Sequence, residues 1–159
     1  QIMSGLVRSV DELYTAFARD PLQGIPGAPG VGRSLAAQVG YAAELETLPE
    51  EIWMSAVPVG NPFSLGPVQT GEAVVDLGCG TGTDCFIASR LVGSEGQVLG
   101  VDGCEEMILR ARNNAKIVRD SSNTKFVRAP FDADNPDIPS AFADVALVNG
   151  SFNLSARKG

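Results

Sequence analysis

Residues 73–84 read Ala73-Val-Val-Asp-Leu-Gly-Cys-Gly-Thr-Gly-Thr-Asp84. A short apolar strand runs here into a turn with glycine at 78, 80 and 82, where the missing Cβ lets the backbone bend sharply and approach a ligand. Nucleotide-binding folds share that much. Asp76 separates the alternatives, because its carboxylate lies near the turn where a dinucleotide fold receives its pyrophosphate, and like charges at that range repel. A cationic sulfonium cofactor with an amino group, S-adenosylmethionine, suits the stretch better.

Outward from this turn the chain alternates strand and helix, the pattern of βαβ units and a parallel sheet. Strands are expected at 73–77, 97–101, 124–128 and 144–149, with helices at about 83–92 and 104–118, set by right-handed crossovers on both faces of the sheet. Upstream, Leu6, Val10, Leu13 and Phe17 recur at helical spacing and Asp20-Pro21 ends the run, so residues 5–19 form an amphipathic helix. Residues 21–32 are too rich in proline and glycine for regular structure. Further short helices are expected at 33–39, closed by Gly40, at 42–48, and at 49–54, opened by Pro49. Residues 57–71 read as irregular. The chain divides into helices and loops over 1–71 and an α/β core over 72–159, together one globular unit.

The 159 residues suffice for one domain with a core, and 44% hydrophobic against 19% charged residues is a globular balance. No apolar run approaches the roughly 20 residues that cross a bilayer. The net charge of −7 opposes a nucleic-acid substrate, and the short basic groups around Arg110 and Arg157 read as solvated faces. No membrane or nucleic-acid partner is expected, and the acceptor is read as a small molecule. Histidine is absent, which removes the commonest general base and metal ligand, and no metal site is expected. Cys79, Cys85 and Cys104 show neither metal spacing nor a disulfide framework. Residues 1–8 lack the apolar core of a signal peptide, so a cytoplasmic location is expected.

The second strand ends in Asp102, about 20 residues past the glycine turn, where a carboxylate takes both hydroxyls of a ribose. NAD enzymes use the same device, so Asp102 supports an adenosine ligand and Asp76 selects among cofactors. Both acids also suit plain structural roles, Asp76 capping the turn and Asp102 the helix that starts near Cys104. Past the third strand, Phe131 and Asp132 offer a ring and a carboxylate for adenine, or else Phe131 packs into the core. Asn149, ending the fourth strand, stands beside the switch point of the sheet, where open α/β folds bind ligands.

Taken together, Val74-Val-Asp-Leu-Gly-Cys-Gly-Thr-Gly82 and Val101-Asp102 resemble the first two motifs of class I S-adenosylmethionine-dependent methyltransferases. Gly60-Asn-Pro-Phe63, Asp84-Cys85, Glu106-Met107, Ala111-Arg112 and Val148-Asn-Gly-Ser-Phe-Asn-Leu154 are similar to the arsenite-methyltransferase-like branch. The resemblance covers about residues 40–155 and implies a Rossmann-like core, S-adenosylmethionine as cofactor, and contacts from Asp76, Gly78, Cys79, Gly80, Gly82, Asp102, Gly103, Phe131, Asp132 and Asn149. It also implies an N-terminal helix over the cofactor, with Tyr14 and Phe17 near its methionine end, although ordinary packing of an amphipathic helix accounts for Phe17 better. Tyr14, Asn61 and Phe63 are the candidate acceptor contacts, the last two from their place at a turn before the glycine motif.

Two departures qualify the resemblance. That branch holds arsenic on cysteine thiolates, one before the glycine motif and one in the strand-four motif, whereas this chain has Val57-Pro-Val-Gly60 and Gly150 there. Family members also continue past strand four, so a sheet of order 3-2-1-4 is expected, with 143–151 as an exposed apolar edge. Either two copies associate through that edge as a homodimer or the N-terminal helices cover it. No catalytic residue is assigned, since methyl transfer needs orientation and exclusion of water more than a dedicated base. The expected function is methyl transfer to a small acceptor. The alternative is a truncated, catalytically silent cofactor-binding module, and an NAD-dependent oxidoreductase would require Asp76 to tolerate a pyrophosphate.

Overall fold

The computed structural model describes residues 12–21, 32–66, 68–130, 138 and 140–150. In chain order these form a helix over 12–19 (α1), α2 (Gly32–Gln38), a 3-10 turn (Leu45–Thr47), α3 (Glu50–Met54), a second 3-10 turn (Pro62–Ser64), β1 (Ala73–Leu77), α4 (Thr83–Val92), β2 (Gln97–Asp102), α5 (Glu105–Asn114), β3 (Thr124–Arg128) and β4 (Val145–Leu147). No helix of the described residues is long and apolar enough to cross a membrane.

The four strands form one parallel sheet in the order β3-β2-β1-β4. Its register puts Asp76 between Gly100 of β2 and Leu147 of β4. Side chains alternate across the sheet, so Val74, Val98, Phe126 and Leu147 share one face with Asp76, while Val75, Leu99 and Val101 line the other. Among the described residues β4 pairs only with β1, and its Ala146 and the following Val148 are exposed.

Both α4 and α5 pack on the Asp76 face, which corrects the expectation of helices on both faces for this part of the chain. The path β1 to β2 to β3 steps across the sheet in one direction, and right-handed crossovers taken in one direction land on one side. From α4, Cys85, Phe86, Ala88 and Val92 are buried there, and from α5 Ile108 and Ala111. Phe86 meets Phe126 edge-on at 5.7 Å, a geometry worth ~1 kcal/mol beyond the area buried. The same apolar cluster includes Ala36, Tyr41, Ile52 and Trp53 from the N-terminal part. On the opposite face Ile138 and Phe142 lie against the strands.

The N-terminal elements are short, and particular bonds fix them. Gly40, at φ +103, closes α2 while Tyr41 N–H reaches Ala36 O and Gly40 N–H reaches Ala37 O, the paired bonds of a left-handed helix cap. The expected helix at 42–48 is a turn followed by the 3-10 turn, because Tyr41 and Leu48 are buried but no continuous apolar stripe joins them. Trp53, fully buried, donates from Nε1 to Leu45 O at 3.2 Å. The α1 helix rests on the start of α5: Phe17 and Ala18 pack with Cys104 and Met107, Arg19 pairs with Glu106, and Arg110 donates to Ala18 O at 2.6 Å.

Candidate cofactor and acceptor site

The glycine turn follows directly from β1. Gly78, Gly80 and Gly82 all have positive φ (+81, +54 and +90), a region that side chains with a Cβ seldom occupy. Gly78 N–H and Cys79 N–H donate to Val101 O at 2.8 and 3.0 Å, which folds the turn back over the end of β2. There Asp102 accepts from Gly80 N–H (2.9 Å) and Cys104 N–H (2.8 Å), so one carboxylate joins the turn to the start of α5. Behind the turn, Thr81 donates to Ser55 O at 3.0 Å and buried Asn114 of α5 donates to Thr81 O at 3.0 Å. The sequence reading missed Asn114; its only signal was a polar residue at the end of the buried stripe Met107, Ile108, Ala111.

Gly80 and Gly82 do different work. A Cβ on Gly80 would meet nothing within 4 Å, and the same is true at Gly103, so both face open space. At Gly82 a Cβ would stand 2.9 Å from the Phe126 ring and 3.1 Å from that of Phe86. Gly82 therefore lets α4 pack closely on β3.

Beyond the carboxyl ends of β1 and β4 lies a cavity of about 80 Å³, lined by Asp76, Gly78, Cys79, Gly80, Thr83, Asp84 and Asn149, with Phe17, Tyr41 and Met107 completing much of its wall. A volume of that size holds on the order of six waters, enough for an amino-acid end of a ligand. Asp76 is 2% exposed, and Cys85 Sγ donates to its Oδ2 at 3.4 Å. Asp84, in the first turn of α4, accepts from Tyr41 Oη (2.7 Å) and from Asn149 Nδ2 (2.8 Å). Asn149 Nδ2 also reaches Tyr41 Oη (2.9 Å) and Gly60 O (2.8 Å).

Burial raises the proton affinity of Asp76 well above the usual carboxylate range, and the charges of Asp84 and Asp102 raise it further against the opposing Cys85 hydrogen bond. Burial likewise raises Asp84, partly offset by its bonds from Asn149 and Tyr41, while Glu44 pushes it up. Tyr41 is raised first by burial and then by Asp84, so its phenol stays protonated as a donor. Burial also raises Cys79 and Cys85, which keeps both thiols un-ionised.

Of the residues singled out in the sequence, Asp76, Gly78, Cys79, Gly80 and Asn149 meet around the cavity. Asp102 and Gly103 lie at the adjoining end of β2. Tyr14 is half-buried beside Met107, its proton affinity raised by burial and by Asp102. Asn61 and Phe63 are not among the described residues of the cavity wall. Asn61 caps the second 3-10 turn, accepting from Phe63 N–H at 2.9 Å and donating to Gly40 O at 3.0 Å, and Phe63 packs against the core. Phe131 and Asp132 lie outside the described residues. Asp84 and Tyr41 were not in the expected contact set; Asp84 was visible only as the residue after the glycine motif.

The family model described as a methyltransferase domain matches residues 69–159. The chain belongs to the methyltransferase domain family. This family member is 46% identical over 99 residues to an arsenite methyltransferase of Halobacterium salinarum, a match covering 62% of this chain and 25% of that protein. A solved arsenic(III) S-adenosylmethionine methyltransferase from Chlamydomonas reinhardtii aligns with TM-score 0.56 and 28% identity over 72% of this chain and 40% of its own. An S-adenosylmethionine-dependent methyltransferase from Aquifex aeolicus shares the fold, with TM-score 0.54 and 21% identity over 78% and 60% of the two chains. The chain thus spans about a quarter of the length of the Halobacterium relative.

S-adenosylmethionine is the cofactor of this methyltransferase fold, and the residues present fit it. The cavity holds two carboxylates, no lysine or arginine lines it among the described residues, and Gly80 and Gly103 leave open space where a Cβ would intrude. Thr83 Oγ1, in the cavity wall at the start of α4, is buried without a hydrogen-bond partner, a donor and acceptor for a ligand's polar group.

Proposed function

We propose that the chain binds S-adenosylmethionine across the carboxyl ends of β1 and β2 and transfers its methyl group to a small-molecule acceptor entering beside Asn149. The observation that carries this reading is Asp76, a buried carboxylate at the head of an open glycine turn in a cavity that no lysine or arginine lines among the described residues. When bound, the cofactor supplies an activated methyl group on a positively charged sulfur. The protein's part is to hold and orient. Asp76 receives a cationic group, Asp102 the ribose hydroxyls, and the Gly78–Gly80 backbone the close approach between them. Thr83 and the first turn of α4 suit a carboxylate. Phe17, Met107 and α1 exclude water above the site.

The acceptor side differs from a thiolate trap. Gly150 and the Val57–Gly60 stretch stand at the two places where the arsenite-methyltransferase-like branch has cysteines, and they are neighbours: a Cβ on Gly150 would lie 2.8 Å from a Val59 methyl. The chain's three cysteines are all buried, and Cys79 in the cavity wall is kept un-ionised by that burial. A soft metalloid therefore lacks ligands at this mouth, and we read the acceptor as an organic small molecule resting on Val59. Calorimetry with S-adenosylmethionine, followed by a homocysteine-release assay over organic acceptors and arsenite, tests the reading. Binding with turnover of an organic acceptor supports it. Turnover of arsenite alone refutes the acceptor class, and binding without any turnover favours a silent cofactor-binding module.

A further inference from the structure

We infer that Asp84 is the charge-reading group of the site: its carboxylate, clamped by Tyr41 and Asn149, makes the cavity prefer the sulfonium cofactor to the neutral thioether left after methyl transfer. The inference rests on the cofactor reading above and assigns a specificity role within it.

Each oxygen of Asp84 has its own donor. Tyr41 Oη holds Oδ1 at 2.7 Å and Asn149 Nδ2 holds Oδ2 at 2.8 Å. The donors come from separate parts of the chain, one just after α2 and one just after β4, and their polar atoms lie 2.9 Å apart. Two hydrogen bonds from independent anchors fix the plane of the carboxylate, so it does not turn away when the ligand changes. Asp84 is half-buried and lines the same cavity as Asp76.

The charge count points the same way. S-adenosylmethionine brings two positive groups, an ammonium and a sulfonium, and one carboxylate. S-adenosylhomocysteine keeps the ammonium and loses the sulfonium charge. A cavity built only for the ammonium needs one acid, yet this one has two, with no lysine or arginine among the described wall residues to neutralise either. Glu44 adds to the same field behind Asp84, and its Oε2 is buried without a hydrogen-bond partner. A second cationic group favours ionisation of both acids, whereas a neutral sulfur leaves a proton on one of them. For a unit charge a few ångströms away in a partly buried site, the preference is on the order of tenfold to a hundredfold.

The test is calorimetric titration of the full chain with three ligands: S-adenosylmethionine, S-adenosylhomocysteine, and sinefungin, whose amine-bearing carbon replaces the sulfonium. The wild-type chain is expected to bind the two dicationic ligands at least about tenfold more tightly than the thioether. In Asp84→Asn, which keeps the shape and one hydrogen-bonding oxygen, that ratio falls about tenfold while S-adenosylhomocysteine affinity moves less than about threefold. Tyr41→Phe, which removes one clamp and leaves the charge, is expected to lower the ratio by a smaller factor, and it carries the test if Asp84→Asn does not fold. Equal loss of all three ligands, or an unchanged ratio in the variant that folds, overturns the inference and leaves Asp84 a structural role. A wild-type chain that binds none of the three overturns the cofactor reading itself.

Discussion

Gly80 and Gly82 are two residues apart in one turn, and alanine at each should fail in a different way. At Gly82 the backbone sits at φ +90, which costs an L-residue about 1–2 kcal/mol. The new Cβ would also stand 2.9–3.1 Å from ring atoms of Phe126 and Phe86, and both rings are already packed edge-on in the core. Overpacking of that kind costs about 1–3 kcal/mol, so Gly82→Ala is expected to lose about 2–5 kcal/mol of folding stability. With a urea slope of about 2 kcal/mol/M, the denaturation midpoint falls by roughly 1–2.5 M. At Gly80, φ is +54 and a Cβ meets nothing within 4 Å, so only the backbone term of ~1 kcal/mol applies. That Cβ instead occupies open space at the cavity wall, and Gly80→Ala should lose at least about tenfold in S-adenosylmethionine affinity, or ~1.4 kcal/mol. Folded Gly82→Ala should keep its affinity within about threefold. Urea melts and calorimetry on the two variants decide the matter. A Gly82→Ala stability within ~0.5 kcal/mol of wild type, or normal binding by Gly80→Ala, would refute this division of roles.

Asp76→Asn should stabilise the ligand-free protein at alkaline pH while weakening cofactor binding. The folded protein holds the Asp76 proton more tightly than the unfolded chain, so stability is full below the ordinary carboxylate pKa and is lost as pH rises through the raised folded value. Removing the charge should flatten that slope and raise Tm at pH 8 by roughly 2–6 °C, with no difference near pH 3; a melting series across pH checks the sign. Asn114→Ala strips the bond to Thr81 O and leaves that carbonyl buried, which should cost ~1–3 kcal/mol in urea unfolding and loosen the turn enough to weaken cofactor affinity. A loss of stability with unchanged affinity would show that the network behind the turn supports the fold alone.

The core of the fold was legible because its signals are local. The bounds of β1, β3 and α4 follow from apolar runs ended by glycine or by charged residues, and the structure agrees with them; β2 extends one residue further, to Asp102. The strand order 3-2-1-4 was expected from the family resemblance, and the structure has it. The side of the sheet taken by α4 and α5 was misread because it depends on the direction of successive crossovers, which periodicity does not encode. The site was half legible. Asp76 and the glycines announce themselves within ten residues, whereas the clamp on Asp84 joins Tyr41 across 43 positions and Asn149 across 65. Nothing local to Tyr41 separates a core ring from a hydroxyl donor. Asn61 was expected at the pocket rim from its place before the glycine motif; in the structure its amide nitrogen ties the turn to Gly40 O and its oxygen caps Phe63 N–H.

Asp76 is expected to select a cationic cofactor over a dinucleotide. Calorimetric titration of the full chain with S-adenosylmethionine and, separately, with NAD measures that selection directly. One S-adenosylmethionine bound per chain, with NAD at least about a hundredfold weaker, is the predicted result. Saturable NAD binding of equal or greater strength, or no binding of S-adenosylmethionine at millimolar concentration, would contradict it.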